Sequence, residues 1–229
     1  MLARELIDEA REFHISFIEE IHPTTMLLRA VYRAEARFFD IVANIAPDAL
    51  AVDLVFDAAD IAAAILGGAL TIPAYRSLLP TGVLVNDQGI FPVAITSDEE
   101  SSGGNPLTVR VVGRSLYLAQ PTAFQAEMPS SVSTTLQNYS YFDGASALRL
   151  TYIPSPEPIT DLEATLVSPD DARRFIQADL VKFMALRDPG LERERPGLMA
   201  EASMIQEDVI AFYERRSGGE TRWYVSTVG

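Results

Sequence analysis

Cysteine is absent from the 229 residues, and histidine and lysine are scarce, with two of the first and one of the second. Without a thiol there is no disulfide, thiolate zinc site, iron–sulfur cluster or cysteine nucleophile. Basic charge is thin as well. There are 18 Lys and Arg against 32 Asp and Glu, a formal net charge of −14 at pH 7. A surface built to grip nucleic acid needs a basic stripe, and this balance argues against one. It leaves room for a surface past which nucleic acid slides without sticking. Long apolar runs are also missing. Residues 61–75 are the most apolar stretch, contain Gly67, Gly68 and Pro73, and fall short of the ~20 residues a membrane span needs. No membrane partner is expected. The opening Met-Leu-Ala-Arg-Glu turns acidic within a few residues and does not read as a signal peptide.

What is present is a core-forming composition: 48% of residues are apolar, enough to exclude global disorder. The acidity is unevenly placed. Residues 1–37 carry five basic and seven acidic groups, and residues 38–109 one basic group (Arg76) and nine acidic ones. Residues 110–172 carry three and seven, and residues 173–229 are balanced at nine each. The middle of the chain holds the charge. The C-terminal quarter reads as solvated helix faces.

Residues 2–20 read as a helix, with Leu2, Leu6, Ala10, Phe13 and Phe17 at three- and four-residue steps. His22-Pro23 ends it. A second helix follows, capped by Thr24 or Thr25, with Leu27, Leu28, Val31, Ala34, Phe38, Ile41, Val42 and Ile45 as its stripe up to Pro47. So short a link predicts a helical hairpin. From 48 to 158 proline and glycine recur every few residues between β-type runs at 83–85, 90–95, 107–112, 115–118 and 147–153. The Ala-rich stretch 58–66 has the composition of a short helix but lies in this β-type section, and its reading is ambiguous. Ser168-Pro169-Asp170-Asp171 reads as a helix start, with Ser168 the cap and Pro169 the first position. That helix runs to Asp188-Pro189-Gly190. A fourth, from about Gly197 to Arg216, stops at Gly218-Gly219.

The expected class is α+β. A helical bundle of N- and C-terminal helices, 1–46 and 168–217, brackets a β-rich insert at 48–158 with short strands and long loops. Residues 218–229 form a C-terminal arm, and the whole is read as one domain. Two polar stretches, 98–105 and 130–141, are too apolar-poor to build a core and suit ordering against a partner.

No catalytic, cofactor-binding or metal-binding residue is assigned. There is no Gly-x-Ser-x-Gly elbow, Walker pattern or Gly-x-Gly-x-x-Gly. His14 reads as a helix-face histidine and His22 as a loop histidine, neither with an orienting partner visible in the sequence. Asp170-Asp171 is explained by the helix start. The run Asp98-Glu99-Glu100 lacks EF-hand spacing and reads as a solvated loop. Trp223, Tyr224, Val225 and Val228 make an apolar, β-prone segment behind a flexible Gly-Gly root, which suits an arm that docks on another chain.

The order of these pieces resembles the head-to-tail adaptor (connector) proteins of tailed bacteriophages. The chain opens Leu2-Ala3-Arg4-Glu5-Leu6-Ile7-Asp8-Glu9-Ala10 into a helical hairpin. A middle section holds Gly-Gly-x-Leu-x-x-Pro from Gly67 to Pro73 and a strand at Gly113-Arg114-Ser115-Leu116-Tyr117-Leu118. Then Leu150-Thr151-Tyr152-Ile153-Pro154-Ser155-Pro156 leads into Ser168-Pro169-Asp170-Asp171 and a helix with Phe183-Met184-Ala185-Leu186-Arg187. The likeness covers most of the chain and is one of texture and order.

The resemblance implies a structural virion protein at the head-to-tail junction, made in the bacterial host's cytoplasm. Copies form a ring, commonly of about twelve, that joins the portal to the neck or tail and extends the DNA channel. The implied partners are further copies of the chain, the portal protein and a neck, stopper or tail protein. Double-stranded DNA passes without specific binding, and no cofactor is implied. Arg222, Trp223, Tyr224, Val225 and Val228 are the candidate contacts to the portal or a neighbouring subunit. Asp87, Asp98, Glu99 and Glu100 are candidate acidic channel or loop residues, and Gln137, Asn138, Tyr139 and Tyr141 a candidate inter-subunit or tail-facing loop. The alternatives are another neck or tail component, such as a stopper or tail-completion protein, and a soluble enzyme or ligand-binding module.

Overall fold

The computed structural model describes residues 1–65, 69–86, 88–91, 93–95, 109–118, 142 and 144–217. The chain divides into two compact units: Met1–Leu50 with Ser155–Gly229, and Ala51–Pro154. The fold is α+β.

Among its described residues the first unit has four helices: α1 (Ala3–Glu12), α2 (Thr24–Ile45), α4 (Arg173–Arg187) and α5 (Arg195–Ser217). Helix α4 touches each of the other three. The α2 stripe Leu27, Val31, Ala34, Phe38 and Val42 is buried because three- and four-residue steps keep these side chains on one face. Phe38 is the hub. Its ring centroid lies 5.5 Å from Phe175 on α4 and 5.6 Å from Tyr213 on α5, both edge-on, the arrangement that aromatic quadrupoles favour.

Helix α1 is shorter than the expected 2–20. It ends at Glu12, and residues 13–23 form a loop. The apolar spacing continues through the loop, but tertiary contacts override it. Phe17 is buried while Phe13 and Ile18, on the same expected stripe, are exposed. The Arg11 guanidinium donates to the His22 carbonyl at 3.1 Å and to Thr24 Oγ1 at 3.3 Å, and pairs with Glu19. Burying Phe17 contributes about 1.5–3 kcal/mol, more than the roughly 0.7 kcal/mol that separates ordinary residues in helix propensity.

The expected cap of the second helix is corrected too. Thr24 is the first helical residue, not the cap. Glu19 takes that role from the loop: Oε1 accepts the Thr24 N–H at 2.8 Å and Oε2 the Thr24 hydroxyl at 2.7 Å. Backbone carbonyls satisfy the first N–H groups of α1, with Ala3 donating to Ala164 at 3.1 Å and Arg4 to Leu162 at 3.0 Å.

The Ser168-Pro169 start also differs from expectation. A 3₁₀ turn, Asp170–Ala172, precedes α4, and Ser168 does not cap it with its side chain. Instead the Ser168 N–H donates to the buried Glu35 carboxylate of α2 at 2.9 Å. At the far end of α4 the Arg195 guanidinium donates to the carbonyls of Ala185 (2.9 Å) and Asp188 (3.0 Å). It neutralises the negative end of the helix as it does so.

The second unit holds two sheets. Strands β1 (Val52–Asp57), β3 (Tyr75–Val85), β4 (Gln88–Phe91) and β8 (Ala147–Pro154) form an antiparallel sheet in the order β1-β8-β3-β4. Strands β2 (Leu70–Thr71), β5 (Val93–Ile95), β6 (Val109–Val112) and β7 (Ser115–Tyr117) form the other, in the order β2-β7-β6-β5, with β5 and β6 parallel. Strand β8 alternates, with Leu148, Leu150 and Tyr152 buried. Leu150 stands opposite Leu54 on β1 and Val83 on β3.

The continuous run expected at 90–95 is split between the two sheets. Proline 92, which stands between them in the sequence, has no N–H to give a ladder. The described part of the ambiguous stretch 58–66 is helical: α3 (Ala58–Ile65) starts from Asp57, whose Oδ1 accepts the N–H groups of Ala59 and Asp60, each at 2.9 Å. Asn86 has φ 51°, and its Oδ1 accepts the N–H groups of Ser146 (2.8 Å) and Ala147 (3.1 Å), which fixes the start of β8. Gly113, at φ 58°, makes the β6–β7 turn that a residue with a Cβ would strain.

Candidate functional site

Ionisable side chains gather at one end of the helical unit, where the 13–23 loop meets the 188–194 segment between α4 and α5. His14 Nδ1 lies 2.8 Å from Ser16 Oγ and accepts the Ser16 N–H at 3.2 Å. On its other side Nε2 lies 2.6 Å from Glu194 Oε2. Asp188, buried, accepts the Gly190 N–H at 2.8 Å. Its carboxyl is held below the usual carboxylate range, first by the Ser16 hydroxyl and then by Gly190 and the His22 and His14 rings, against the opposing cost of burial. His22 is fully buried with its ring edge-on to Phe17 at 5.6 Å. Burial pushes its pKa down, with Asp188 opposing the shift and Arg11 and Arg187 reinforcing it.

A serine, an imidazole and a carboxylate in one row are the parts of a nucleophilic serine site, in which the imidazole takes the hydroxyl proton. The row ties the loop to the segment ahead of α5. The sequence did not disclose it: His14 and Glu194 stand 180 positions apart, and a His-x-Ser triplet alone has no chemical meaning.

The loop held this way presents apolar surface. Phe13, Ile15, Ile18 and Ile21 are all exposed, at 40%, 94%, 45% and 41%, and Glu12, Glu19 and Glu20 lie exposed among them in the chain. Four exposed large apolar side chains within nine residues of chain are more than scattered surface exposure requires, and exposed apolar surface rimmed by polar groups is what interaction sites use. Taken by itself, the β-rich unit has an acidic corner instead. Asp53 and Asp57 on β1 and Asp60 on α3 are all exposed. Asp53 accepts the Thr151 hydroxyl at 2.7 Å and lies 3.7 Å from Arg149.

Every site residue expected from the sequence lies outside the described residues. These are Arg222, Trp223, Tyr224, Val225 and Val228 of the arm, Asp87, Asp98, Glu99 and Glu100 of the acidic set, and Gln137, Asn138, Tyr139 and Tyr141 of the polar loop. Among the described residues no cluster of three or more His, Asp or Glu could hold a metal ion, and no helix is long and apolar enough to cross a membrane. No family model and no curated protein matches the chain.

Proposed function

We propose that the chain is a structural adaptor of a tailed-bacteriophage neck, assembled as a ring that joins the capsid portal to the neck or tail and continues the DNA channel. The observation that carries this reading is the exposed loop of Phe13, Ile15, Ile18 and Ile21 on the helical unit. A core that buries Phe17 and Phe38 completely had the means to bury these residues and left them out. A protein that works against neighbours gains from such a surface.

The acidic corner supports the reading from the other unit. A ring repeats Asp53, Asp57 and Asp60 once per copy. Acids within about one Debye length of a DNA channel, ~8 Å at physiological salt, repel phosphates and suppress the contacts that make DNA binding tight. Electron cryo-microscopy of intact necks tests the proposal. A ring of this chain between portal and tail is the expected result. Its absence from particles, or density in another part of the virion, overturns it.

The Ser16–His14–Glu194 row favours one other reading, acyl transfer at Ser16. A fluorophosphonate that labels Ser16 in the native chain but not in His14→Ala would establish that reading and sink the structural one.

A further inference from the structure

We infer that the apolar loop at 13–21 is the receptor for the C-terminal arm of a second copy of the chain, with Trp223 and Tyr224 seated on Ile15 and its apolar neighbours and Arg222 against the acidic rim. The inference rests on the multi-copy assembly proposed above and names the contact that would build it.

Reach decides which copy supplies the arm. Glu194, just ahead of α5, is bonded to His14, so the loop sits at the N-terminal end of that helix. Helix α5 has 23 residues, which at 1.5 Å per residue carry the chain ~35 Å away before the arm begins. Trp223 comes six residues after Ser217, a span of ~20 Å at full extension. The tryptophan of a chain would reach its own loop only with the arm drawn straight back along α5, an ordering that the loop of another copy does not demand. The loop of another copy is open to it.

Chemistry matches on the two sides. The arm offers the sequence Arg-Trp-Tyr-Val at 222–225, and the loop offers exposed Phe13, Ile15, Ile18 and Ile21 with Glu12 and Glu20 alongside. Tryptophan, tyrosine and arginine are the residue types that most often carry interface energy when they meet an apolar pocket rimmed by polar groups. Glu19 is already committed to Arg11 and Thr24, which leaves Glu12 and Glu20 as the acids for Arg222. The pairing joins two different surfaces, so it is head-to-tail. Head-to-tail contacts close into rings when the rotation allows.

The test uses the full chain carrying photoreactive benzoylphenylalanine at position 223, mixed as light- and heavy-nitrogen copies. Mixed-label cross-linked peptides joining 223 to residues 13–21 are expected. In sedimentation, Ile15→Glu and Trp223→Ala should each weaken self-association about 30-fold, the effect of losing an interface anchor. Glu20→Arg and Arg222→Glu should each weaken it and together restore it. Cross-links confined to one label, links to another surface, or no linked chains up to ~1 mM, the weak end of specific affinity, overturn the inference. Rings that persist in both Ile15→Glu and Trp223→Ala sink the contact and leave the neck proposal standing. Arm-to-loop links in open dimers that never close keep the contact and sink the ring.

Discussion

The Glu35 carboxylate, buried in the core of α2, accepts the N–H of Ser168 from 133 positions later in the chain. One acidic side chain thus fixes where the segment leading to α4 meets the first half of the bundle. Burial raises the Glu35 pKa above its ordinary 4.5, with the Ser168 and Val167 contacts opposing the shift. A raised folded-state pKa means the native chain holds the proton more tightly than the unfolded one. The stability this adds is complete below pH 4.5 and is lost as pH rises through the folded value. Glu35→Gln should remove that part of the pH dependence in urea melts, whereas Glu35→Ala should cost about 2–3 kcal/mol by stranding the Ser168 N–H. A Gln variant with the native pH slope would contradict this.

His22 predicts the opposite slope. Its folded pKa is depressed from 6.5, chiefly by burial. The stability it contributes is present above pH 6.5 and is lost as pH falls through the folded value. In His22→Phe, which keeps a ring beside Phe17, the urea midpoint should fall less than in the native chain when pH drops below 6.5. Equal losses in the two proteins would show that His22 is not the acid-sensitive group.

Gln206 ties three helices. Its Nε2 donates to Asp179 Oδ1 at 2.8 Å, its Oε1 accepts from Lys182, and Asp179 also accepts from Arg37 of α2 at 2.7 Å. Replacing it by leucine keeps the volume but removes the partner of two charged groups. Gln206→Leu should destabilise the chain by about 1–3 kcal/mol, read as a lower urea midpoint at an unchanged slope.

Asp57 is the one side chain that caps α3 through two backbone N–H groups. Asp57→Ala should cost about 1 kcal/mol, and Asp57→Asn, which keeps the acceptor, much less. Equal losses would assign the effect to charge on the acidic corner instead of the cap.

The helices were legible where periodicity and burial agree, as for Leu27, Val31, Phe38 and Val42 on α2. They were misread where periodicity stands without burial. Phe13 and Ile18 continue the spacing of α1, yet both are exposed, because Arg11 and Glu19 close the loop through contacts that no local window contains. The start of α4 was read from Ser168 and Pro169, but the acceptor there is Glu35, invisible from the neighbouring sequence. Strand β1 gave little signal because its exposed Val52 and Val55 blur the alternation around buried Phe56. The polar row at His14 was out of reach, since its members join only when the chain ends meet.

That meeting of chain ends fixes an order of events during synthesis. Strand β8 completes its sheet once residue 154 has been made, so the insert can close while the ribosome is still translating. The apolar stripes of α1 and α2 must wait for α4, which begins only at Arg173. Phe38 stays without its partners Phe175 and Tyr213 until those positions, 137 and 175 residues later, have emerged. Helices α1 and α2 are made well before the helices that bury them, and the nascent chain is open to aggregation through their apolar stripes in the interval.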